Sequence, residues 1–515
     1  MKHVRWWLLG LLAAGAAGSL AWIWSLAAAF GRAERSGQEK VMATGLVGVI
    51  TLALLFVWLL LLSGWSLRTR LSIVVAGAAL AAAAGGFLEI RGVTGDLVPI
   101  VGLKSSRPEL TADVPPPAEG AGEAAARPAS PRSAFPQFRG VRRDGRVDGV
   151  TLARDWTARP PRRIWEREVG AGWSGFAVAG NDAITQEQRG DRECVVCYDR
   201  DTGTPRWLHA DDARYDDVVG GIGPRATPTI DGDRVFTLGS TGLLNALDRA
   251  TGASVWRRDV LADHDAAPNE WGMSGSPLVH GDVVIVFAGG DGAIAAYDRE
   301  TGAPRWSGGS DRAGYSSPML ATLAGVEQVV ALQGESVAGY DARDGRELWS
   351  TPWSSRQPNV AQPLPLSGDR LLVSSGYGVG SALFRIGRAD DGSLAAEEVW
   401  RSRALKAKFA NFVERDGFVY GLDDGIMVCV DVETGRRAWK GGRFGHGQLL
   451  LVGDLLLLTE EQGDVLLVEP TPDALREVTR CSAFDEKQWN PPAFAAPHLF
   501  VRTADRAACF ELPLE

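Results

Sequence analysis

Cysteine is scarce in this chain, whose 515 residues include five cysteines, five methionines and six histidines. So few cysteines cannot form the disulfide network that would stabilise a chain of this length, which excludes a disulfide scaffold. No two histidines lie at metal-ligand spacing, and the chain has no Cys-x-x-Cys-His haem motif, phosphate loop or Gly-x-Ser-x-Gly elbow. These absences argue against the commonest metal, haem and hydrolase chemistries.

A positive net charge is also missing, since 54 Lys and Arg face 63 Asp and Glu, a formal charge of -9. That balance argues against nucleic acid as a partner, because a nucleic-acid binder needs a basic surface. The charge is unevenly placed: residues 1–104 hold nine basic and four acidic residues, a net +5, which leaves -9 - 5 = -14 for the rest. A basic, apolar head on an acidic body indicates a membrane anchor and a water-exposed domain.

Charge is absent from three apolar runs in the head, Trp6–Phe30, Val41–Leu67 and Leu71–Leu88. A membrane helix needs about 20 apolar residues, so the runs predict three transmembrane helices, at about 6–30, 41–67 and 71–88, in an anchor of residues 1–103. A cleaved signal peptide is the alternative for the first run. The Lys and Arg residues flanking the runs balance, so charge alone leaves the orientation in the membrane open.

Residues 104–134 are rich in Pro, Ala, Ser and charge, which predicts a disordered linker. A lead-in segment, residues 135–163, follows. The body, residues 164–515, contains a repeated sequence motif of the form Asp-x-x-(Thr/Asp)-Gly-x-x-x-Trp. Its tryptophans are Trp207, Trp256, Trp306, Trp349 and Trp439, and a degenerate copy ends in Trp400.

Each copy of the motif has a physical interpretation. The Asp side chain caps backbone N–H groups in a tight turn, Gly adopts a positive φ, and the Trp ring on the next strand fills the space between neighbouring sheets. Four short strands in 40–50 residues are typical of one blade of a β-propeller. The fold class is therefore all-β. The 352 residues at 44 per blade predict an eight-bladed propeller, with seven as the alternative, and Trp165 would lie on a strand that joins the C-terminal strands.

These motifs resemble those of the pyrroloquinoline-quinone (PQQ) repeat family of propellers, and the segment Phe135–Gly140 resembles that family's lead-in. The family includes quinoprotein alcohol dehydrogenases and a non-enzymatic propeller of the outer-membrane assembly machinery. The resemblance implies work outside the cytoplasm. We therefore expect a multi-pass protein of the cytoplasmic (inner) membrane whose propeller lies on the periplasmic side.

Propeller ligands usually lie at the axis, on the loops that lead into the innermost strands. Aromatic, cationic and amide groups recur in those loops here, a composition suited to a flat, anionic or sugar-like ligand. The alternative is that these residues plug the channel and cap turns. The candidate ligand-binding residues are Trp173, Arg225, Glu270, Trp271, Tyr315, Gln362, Lys408, Asn411, His446 and Trp489.

The features that the family resemblance implies for an enzyme are largely missing. The dehydrogenases carry two adjacent cysteines beside PQQ and a Ca²⁺ ion held by Glu, Asn and Asp, whereas this chain has no Cys-Cys pair and no local spacing for those ligands. We predict no catalytic residue, metal or cofactor. The expected function is a membrane-tethered binding or scaffold module for an unknown envelope protein or polymer.

Two alternatives stay open. The first is a membrane-bound PQQ-dependent oxidoreductase of the alcohol or sugar dehydrogenase type, with PQQ and Ca²⁺. The second is a sugar- or polymer-binding sensor that stacks its ligand on Trp173, Trp271 and Trp489. Cys194 and Cys197 form a Cys-x-x-Cys but are expected on opposite faces of one strand, which disfavours a redox pair.

Overall fold

The computed structural model describes residues 2–26, 37–104, 110–111, 134–217, 219–354 and 357–515. Two compact units make up the chain, Met1–Pro108 and Glu109–Glu515. Most of the predicted linker, residues 105–109 and 112–133, lies outside the described residues, as do residues 27–30 at the end of the first apolar run.

Three apolar helices dominate the first unit, and each is long and apolar enough to cross a membrane. They are α1 (Lys2–Ala21), α2 (Gly37–Val57) and α3 (Leu67–Phe87), with π-helical turns at Trp22–Leu26 and Trp58–Leu62. The helices begin before the predicted runs because polar flanks are helical too. The second run is broken near its end, where Ser66 accepts a hydrogen bond from the Thr69 N–H (3.2 Å) and caps α3.

A β-hairpin that the sequence analysis did not predict follows α3. Its strands are β1 (Leu88–Val93) and β2 (Pro99–Leu103), paired antiparallel. Two further strands precede the repeats in the second unit, β3 (Arg146–Val147) and β4 (Arg162–Glu168).

The described part of the second unit forms eight sheets, seven of four strands and one of five. Within each sheet, consecutive antiparallel strands run from a short inner strand to an outer one. Sheets 1 to 4 contain, in order, β5 (Ala177–Ala179), β6 (Asp182–Arg189), β7 (Arg192–Asp199), β8 (Pro205–Asp211); β9 (Thr229–Asp231), β10 (Arg234–Leu238), β11 (Leu243–Asp248), β12 (Ser254–Asp259); β13 (Leu278–His280), β14 (Val283–Gly289), β15 (Gly292–Asp298), β16 (Pro304–Gly308); and β17 (Met319–Leu323), β18 (Val326–Leu332), β19 (Ser336–Asp341), β20 (Glu347–Pro352).

The remaining sheets repeat this order, and one short helix, α4 (Val260–Asp263), follows β12. Sheets 5 to 8 contain β21 (Leu364–Leu366), β22 (Arg370–Ser375), β23 (Gly380–Arg388), β24 (Leu394–Ser402); β25 (Val413–Arg415), β26 (Phe418–Asp423), β27 (Ile426–Asp431), β28 (Arg437–Arg443); β29 (Gln448–Val452), β30 (Leu455–Thr459), β31 (Asp464–Glu469), β32 (Arg476–Ser482), with β3 parallel to β29; and β33 (Ala493–Ala495), β34 (His498–Arg502), β35 (Arg506–Glu511), with β4 as the outer strand.

Sheet 8 combines both ends of the second unit, as the sequence predicted. β4 pairs antiparallel with β35, and Trp165 lies opposite Cys509. Buried Arg502 at the end of β34 also reaches sheet 1, where its guanidinium donates to Thr185 Oγ1 (2.7 Å) and to the Gly170 carbonyl (3.0 Å). The chain thus joins its last repeat to its first.

The repeated motif forms the predicted turn. Asp248 Oδ1 accepts hydrogen bonds from the Thr251 N–H (2.9 Å), the Thr251 hydroxyl (2.7 Å) and the Ala250 N–H (3.1 Å), and Gly252 has a φ of 73°. The turns that begin at Asp199, Asp298 and Asp431 have the same Asp–Thr bonds.

Each turn receives a tryptophan from the sheet before it. The Trp207 ring lies against Gly252, where an added Cβ would be 2.4 Å from Cε3, and the indole N–H donates to the Arg249 carbonyl (2.8 Å). Trp165, Trp256 and Trp400 make the same two contacts with the next turn along the chain. The prediction that the tryptophans fill the space between sheets is confirmed.

Sheet 5 departs from this pattern because its outer hairpin is longer. The degenerate turn at Asp390–Gly392 lies beyond the reach of Trp349, whose indole N–H donates instead to Gln328 Oε1 (2.5 Å) within its own sheet. An added Cβ at Gly392 would meet no atom within 4 Å.

The hydrophobic core lies between the sheets. Cys194 and Cys197, both buried on β7, belong to two different core clusters on opposite faces of sheet 1. The Cys-x-x-Cys is therefore a pair of packed core residues, as predicted.

We expect Gly252→Ala to lower the free energy of unfolding by about 3 kcal/mol, because the left-handed backbone costs Ala about 1 kcal/mol and the clash with the ring about 2 more. The matched control is Gly392→Ala, which has a similar φ of 83° but open space around the new Cβ, and should cost about 1 kcal/mol. Chemical denaturation of the detergent-solubilised chain, followed by circular dichroism, measures both. Equal losses would contradict the packing role of the turn.

Candidate functional site

The inner strands are joined to one another by a closed series of hydrogen bonds at the point where each strand begins. The Thr227 N–H donates to Ser276 Oγ (2.9 Å), and the Ser276 N–H donates to Ser317 Oγ (2.9 Å). The series then runs Ser317 N to Gln362 Oε1, Gln362 N to Asn411 Oδ1, Asn411 Nδ2 to Gln448 Oε1, Gln448 Nε2 to the Trp489 carbonyl, Asn490 Nδ2 to the Ser174 carbonyl, and Gly175 N to Thr227 Oγ1. We call this series the inter-sheet ring. It links all eight sheets.

Most bonds of the inter-sheet ring satisfy backbone groups that lie just before the inner strands, where the chain has no partner within its own sheet. It also holds the start of each inner strand at one level along the axis. The loops just before the inter-sheet ring therefore meet at one end of the second unit, which we call the mouth: Trp173, Arg225, Trp271, Tyr315, Lys408, Phe409, His446, Lys487 and Trp489.

Four aromatic rings from four sheets follow one another across part of the mouth. The ring centroids lie 5.0 Å apart for Trp173 and Trp489, 4.8 Å for Trp489 and Phe409, and 4.9 Å for Phe409 and His446. The Trp489 indole N–H donates to Glu461 Oε1 (2.8 Å). These contacts fix the rings in place, and half-buried Trp173 and Trp489 leave part of their surfaces open for stacking.

Lys487 is a mouth residue that the sequence analysis missed. Its ammonium lies 3.8 Å from the ring centroid of Trp489 and 4.7 Å from that of Trp173, which makes a cation–π contact with both. Burial lowers the pKa of Lys487 to about 8, although the charge of Glu461 opposes the shift. The only signal for it in the sequence is its position two residues before Trp489.

A second group of aromatic rings faces the other part of the mouth. The centroids of Trp271 and Tyr315 lie 5.7 Å apart, and the Trp271 N–H donates to the Tyr315 hydroxyl (3.3 Å). Tyr215, absent from the predicted set, donates its hydroxyl hydrogen bond to the Glu270 carbonyl (2.7 Å). Glu270 itself is exposed to solvent.

Arg225 lies between the two aromatic groups. Its guanidinium stacks 4.4 Å from the Tyr215 centroid and donates to the carbonyls of Gly221 (3.0 Å) and Gly223 (2.5 Å). The neighbouring Gly220 carbonyl accepts the indole N–H of Trp173 (2.7 Å). Burial lowers the pKa of Arg225, against the opposing charges of nearby acidic groups.

Glu193 is a further acidic group near the mouth that the sequence did not single out. Its Oε1 accepts a hydrogen bond from the Ser240 N–H (3.0 Å). Burial raises the pKa of Glu193 to about 7, and the charge of Arg225 works against the shift. Glu193 thus adds an acidic group whose charge raises the pKa of Arg225, against the effect of burial.

Lys408 completes the cationic groups. Its side chain is buried, with the ammonium 4.7 Å from the Tyr377 centroid. Arg225, Lys408 and Lys487 thus each lie over an aromatic ring, and the three come from different sheets. An anionic ligand that carries a flat ring would find complementary charge and stacking surfaces here.

Two of the predicted candidates, Gln362 and Asn411, occupy the inter-sheet ring. Both are buried, and Gln362 Nε2 additionally donates to the Ser317 carbonyl (2.8 Å). Their amide groups already hold neighbouring sheets together, so a ligand would have to compete with those bonds. The structure therefore brings Trp173, Arg225, Trp271, Tyr315, Lys408, His446 and Trp489 to the mouth, with Glu270 on its exposed rim.

The lead-in segment crosses the axis on the other side of the inter-sheet ring. Buried Arg143 donates to the carbonyls of Ser276 (3.0 Å) and Pro318 (2.9 Å), and buried Arg139 donates to that of Phe412 (2.8 Å). Phe135 pairs with Val178, towards the far end of β5. The chain thus arrives at the end of the axis opposite the mouth and closes the axis below the inter-sheet ring.

Metal-binding groups do not assemble within the described ranges, where no cluster of three or more His, Cys, Asp or Glu side chains could hold an ion. The buried carboxylate of Glu187, a group of the type that binds Ca²⁺, accepts hydrogen bonds from Arg189 Nε (2.9 Å), the Tyr198 hydroxyl (2.5 Å) and the Gly170 N–H (2.7 Å). Its carboxylate is used in a buried structural network.

Known proteins share part of this sequence and its fold. Residues 191–441 match the family model described as outer membrane protein assembly factor BamB. The BamB of Shewanella oneidensis is 23% identical over 270 residues, which cover 50% of this chain and 67% of that protein. Over these residues the chain is similar to PQQ-repeat β-propeller proteins.

Two solved structures show the same fold. The crystal structure of BamB from Moraxella catarrhalis superposes with a TM-score of 0.51 at 17% identity, covering 68% of this chain and 100% of that one. The quinohemoprotein alcohol dehydrogenase of Comamonas testosteroni gives 0.53 at 13% identity, covering 75% and 81%. The PQQ-repeat propeller is thus shared by a protein named as an assembly factor and by an enzyme, so fold alone does not decide function.

We expect the Trp fluorescence of this propeller to change in a transition centred near pH 8, because Lys487 loses its charge there while 3.8 Å from a Trp ring. Below pH 8 the side chain is an ammonium, and above it a neutral amine. A fluorescence titration from pH 6 to 10 measures this transition.

Lys487→Met should remove the transition. The control Lys440→Met changes a lysine of outer strand β28 whose ammonium pairs with Asp423 Oδ2 (2.6 Å), and should keep it. A transition that survives in Lys487→Met would show that the contact with the two tryptophans is not formed.

Proposed function

We propose that this protein is a membrane-tethered, extracytoplasmic binding module whose mouth takes a protein or another envelope ligand without catalysing a reaction. The observation that carries the proposal is the mouth itself, where three cations and two groups of aromatic rings from different sheets converge. Such buried and half-buried aromatic and cationic side chains are typical of the energetic centre of a binding site.

The comparisons support a protein partner. The matched family and the Shewanella oneidensis relative are named as outer membrane protein assembly factors. We extend from that name only the general role of a propeller that binds other proteins.

The proposed architecture is an eight-bladed propeller, in which each of the eight sheets is one blade. The closed inter-sheet ring supports this count, because its hydrogen bonds pass through every sheet once and return to sheet 1. We further propose that α1–α3 cross the inner membrane and that the propeller lies on the periplasmic side.

A PQQ-dependent oxidoreductase is the alternative, and the mouth fits it only in part. Arg225, Lys408 and Lys487 could bind the carboxylates of PQQ, and the tryptophans could stack on its rings. The donor set for Ca²⁺ does not fit, because the carboxylate of Glu187 is bonded within the fold and Glu270 is exposed. We therefore assign no reaction step to this site.

Site-specific crosslinking in cells tests the binding proposal. A photo-crosslinking residue at Glu270, on the rim of the mouth, should capture a discrete partner, and Trp489→Ala or Arg225→Ala should weaken that capture about tenfold or more, since truncating a central aromatic or Arg residue commonly costs about 2 kcal/mol of binding. The readout is the yield of the crosslinked band, with its partner identified by mass spectrometry.

The matched control places the same residue at Asp233, whose side chain is 74% exposed in the turn between β9 and β10 at the opposite end of the axis. The partner band should be absent there. Capture that is equal at both positions, or unaffected by Trp489→Ala, would refute the mouth as the binding site.

A titration with PQQ and Ca²⁺ separates the two functions. We expect no saturable quenching of Trp fluorescence at micromolar PQQ and no dye reduction with alcohols or sugars. Saturable quenching that Arg225→Ala abolishes, together with dye reduction, would identify an oxidoreductase instead.

A further inference from the structure

The hairpin β1–β2 is attached directly to the end of α3. Leu88 caps the helix, with its N–H bonded to the Ala84 carbonyl, and is also the first residue of β1. The Lys104 N–H donates to the carbonyl of Phe87, the last helical residue (2.8 Å). Both strands of the hairpin are thus tied to the helix terminus.

The hairpin has two different faces. Leu88 lies opposite Leu103, and Ile90 lies opposite Val101, so these four side chains share one face. They are 40%, 69%, 67% and 57% exposed, respectively. We call them the apolar face. The opposite face includes Glu89, Ile100 and Gly102.

A two-stranded hairpin is at best marginally stable in water and needs another surface to cover its apolar side. The adjoining helix indicates what that surface is. α3 has 21 residues, which at about 1.5 Å per residue span about 32 Å, close to the roughly 30 Å of a bilayer's hydrocarbon core. If α3 crosses a bilayer, its end at Phe87, itself 72% exposed, would lie near the membrane boundary.

We propose that the hairpin lies in the membrane–water interface, with the apolar face against the lipid acyl chains. The face continues the lipid-facing surface of α3 without an intervening loop. Pairing of the hairpin with a second copy through its edges is disfavoured, because Pro99 lacks an N–H and the register shifts between Ile90 and Gly92. This inference rests on the proposed membrane anchoring by α1–α3.

Spin-label accessibility in the full chain tests the proposal. Val101→Cys places a nitroxide on the apolar face, and the matched control Ile100→Cys places one on the opposite face of the same strand. The background chain carries Cys481→Ser, since the other four native cysteines are buried. The protein is reconstituted in lipid nanodiscs, and collisions with oxygen, which concentrates in lipid, are compared with collisions with a water-soluble nickel chelate.

We expect the label at Val101 to collide several-fold more often with oxygen than with nickel, and the label at Ile100 to show the reverse preference. Ile90→Cys should agree with Val101→Cys, because the two residues are paired on one face. Equal preference at positions 100 and 101, or a label at 101 that neither reagent reaches, would overturn the proposal. The latter result would mean that protein covers the face.

A label at Leu80 separates the two proposals. This residue lies within α3 and is 73% exposed. If the label at position 80 prefers oxygen and the label at position 101 does not, the interfacial position of the hairpin is refuted, whereas the membrane anchoring by α1–α3 is retained. Nickel preference at position 80 would refute the membrane anchoring on which it rests.

Discussion

The contact between a tryptophan and the turn of the next sheet is the interaction on which the second unit depends. Asp and Thr side chains close each turn, a Gly with positive φ leaves a flat surface, and the indole ring of the preceding sheet lies on that surface. The indole N–H then bonds to a backbone carbonyl of the same turn. The contact recurs between sheets 8 and 1, 1 and 2, 2 and 3, and 5 and 6, so it sets how these neighbouring sheets pack against each other. The arrangement ends where β4 pairs with β35, so that the last sheet is anchored by the first part of the unit.

At the axis a different constraint acts. The inner strands of most sheets are short, and the backbone groups before them would lack partners without the inter-sheet ring. Hydroxyl and amide side chains such as Ser276, Gln362 and Asn411 meet that need, which places the preceding loop residues together at the mouth. The lead-in arginines close the other side, with two buried guanidinium groups bonded to carbonyls directly before the inner strands. The mouth thus lies above an axis that the lead-in segment closes, and the proposed recognition would take place at this one end of the second unit.

Much of the fold could be predicted because its signals are local. The Asp-x-x-Thr-Gly turn is specified by residues that contact one another within five positions, and the apolar runs mark the three helices through their composition. The boundaries were less predictable, since Ser66 ends the second run by capping the next helix, and the hairpin after Phe87 has no repeat to reveal it. Among the candidate site residues, those that are aromatic or cationic lie at the mouth, whereas Gln362 and Asn411 bond between sheets. Side-chain type could not distinguish these roles, because an amide serves a ligand or a neighbouring strand equally well.

By itself the sequence determined the repeat, its turn chemistry, the three apolar helices and the strand shared between both ends of the propeller, because each of these follows from the spacing of residues along the chain. Only the tertiary structure decided that Lys487 stacks on two tryptophans, that Phe409 connects Trp489 with His446, and that Arg143 crosses the axis to meet Ser276 and Pro318. These contacts join residues from different sheets, far apart along the chain. No local pattern encodes such distances, since they are set by how the repeats close around a common axis.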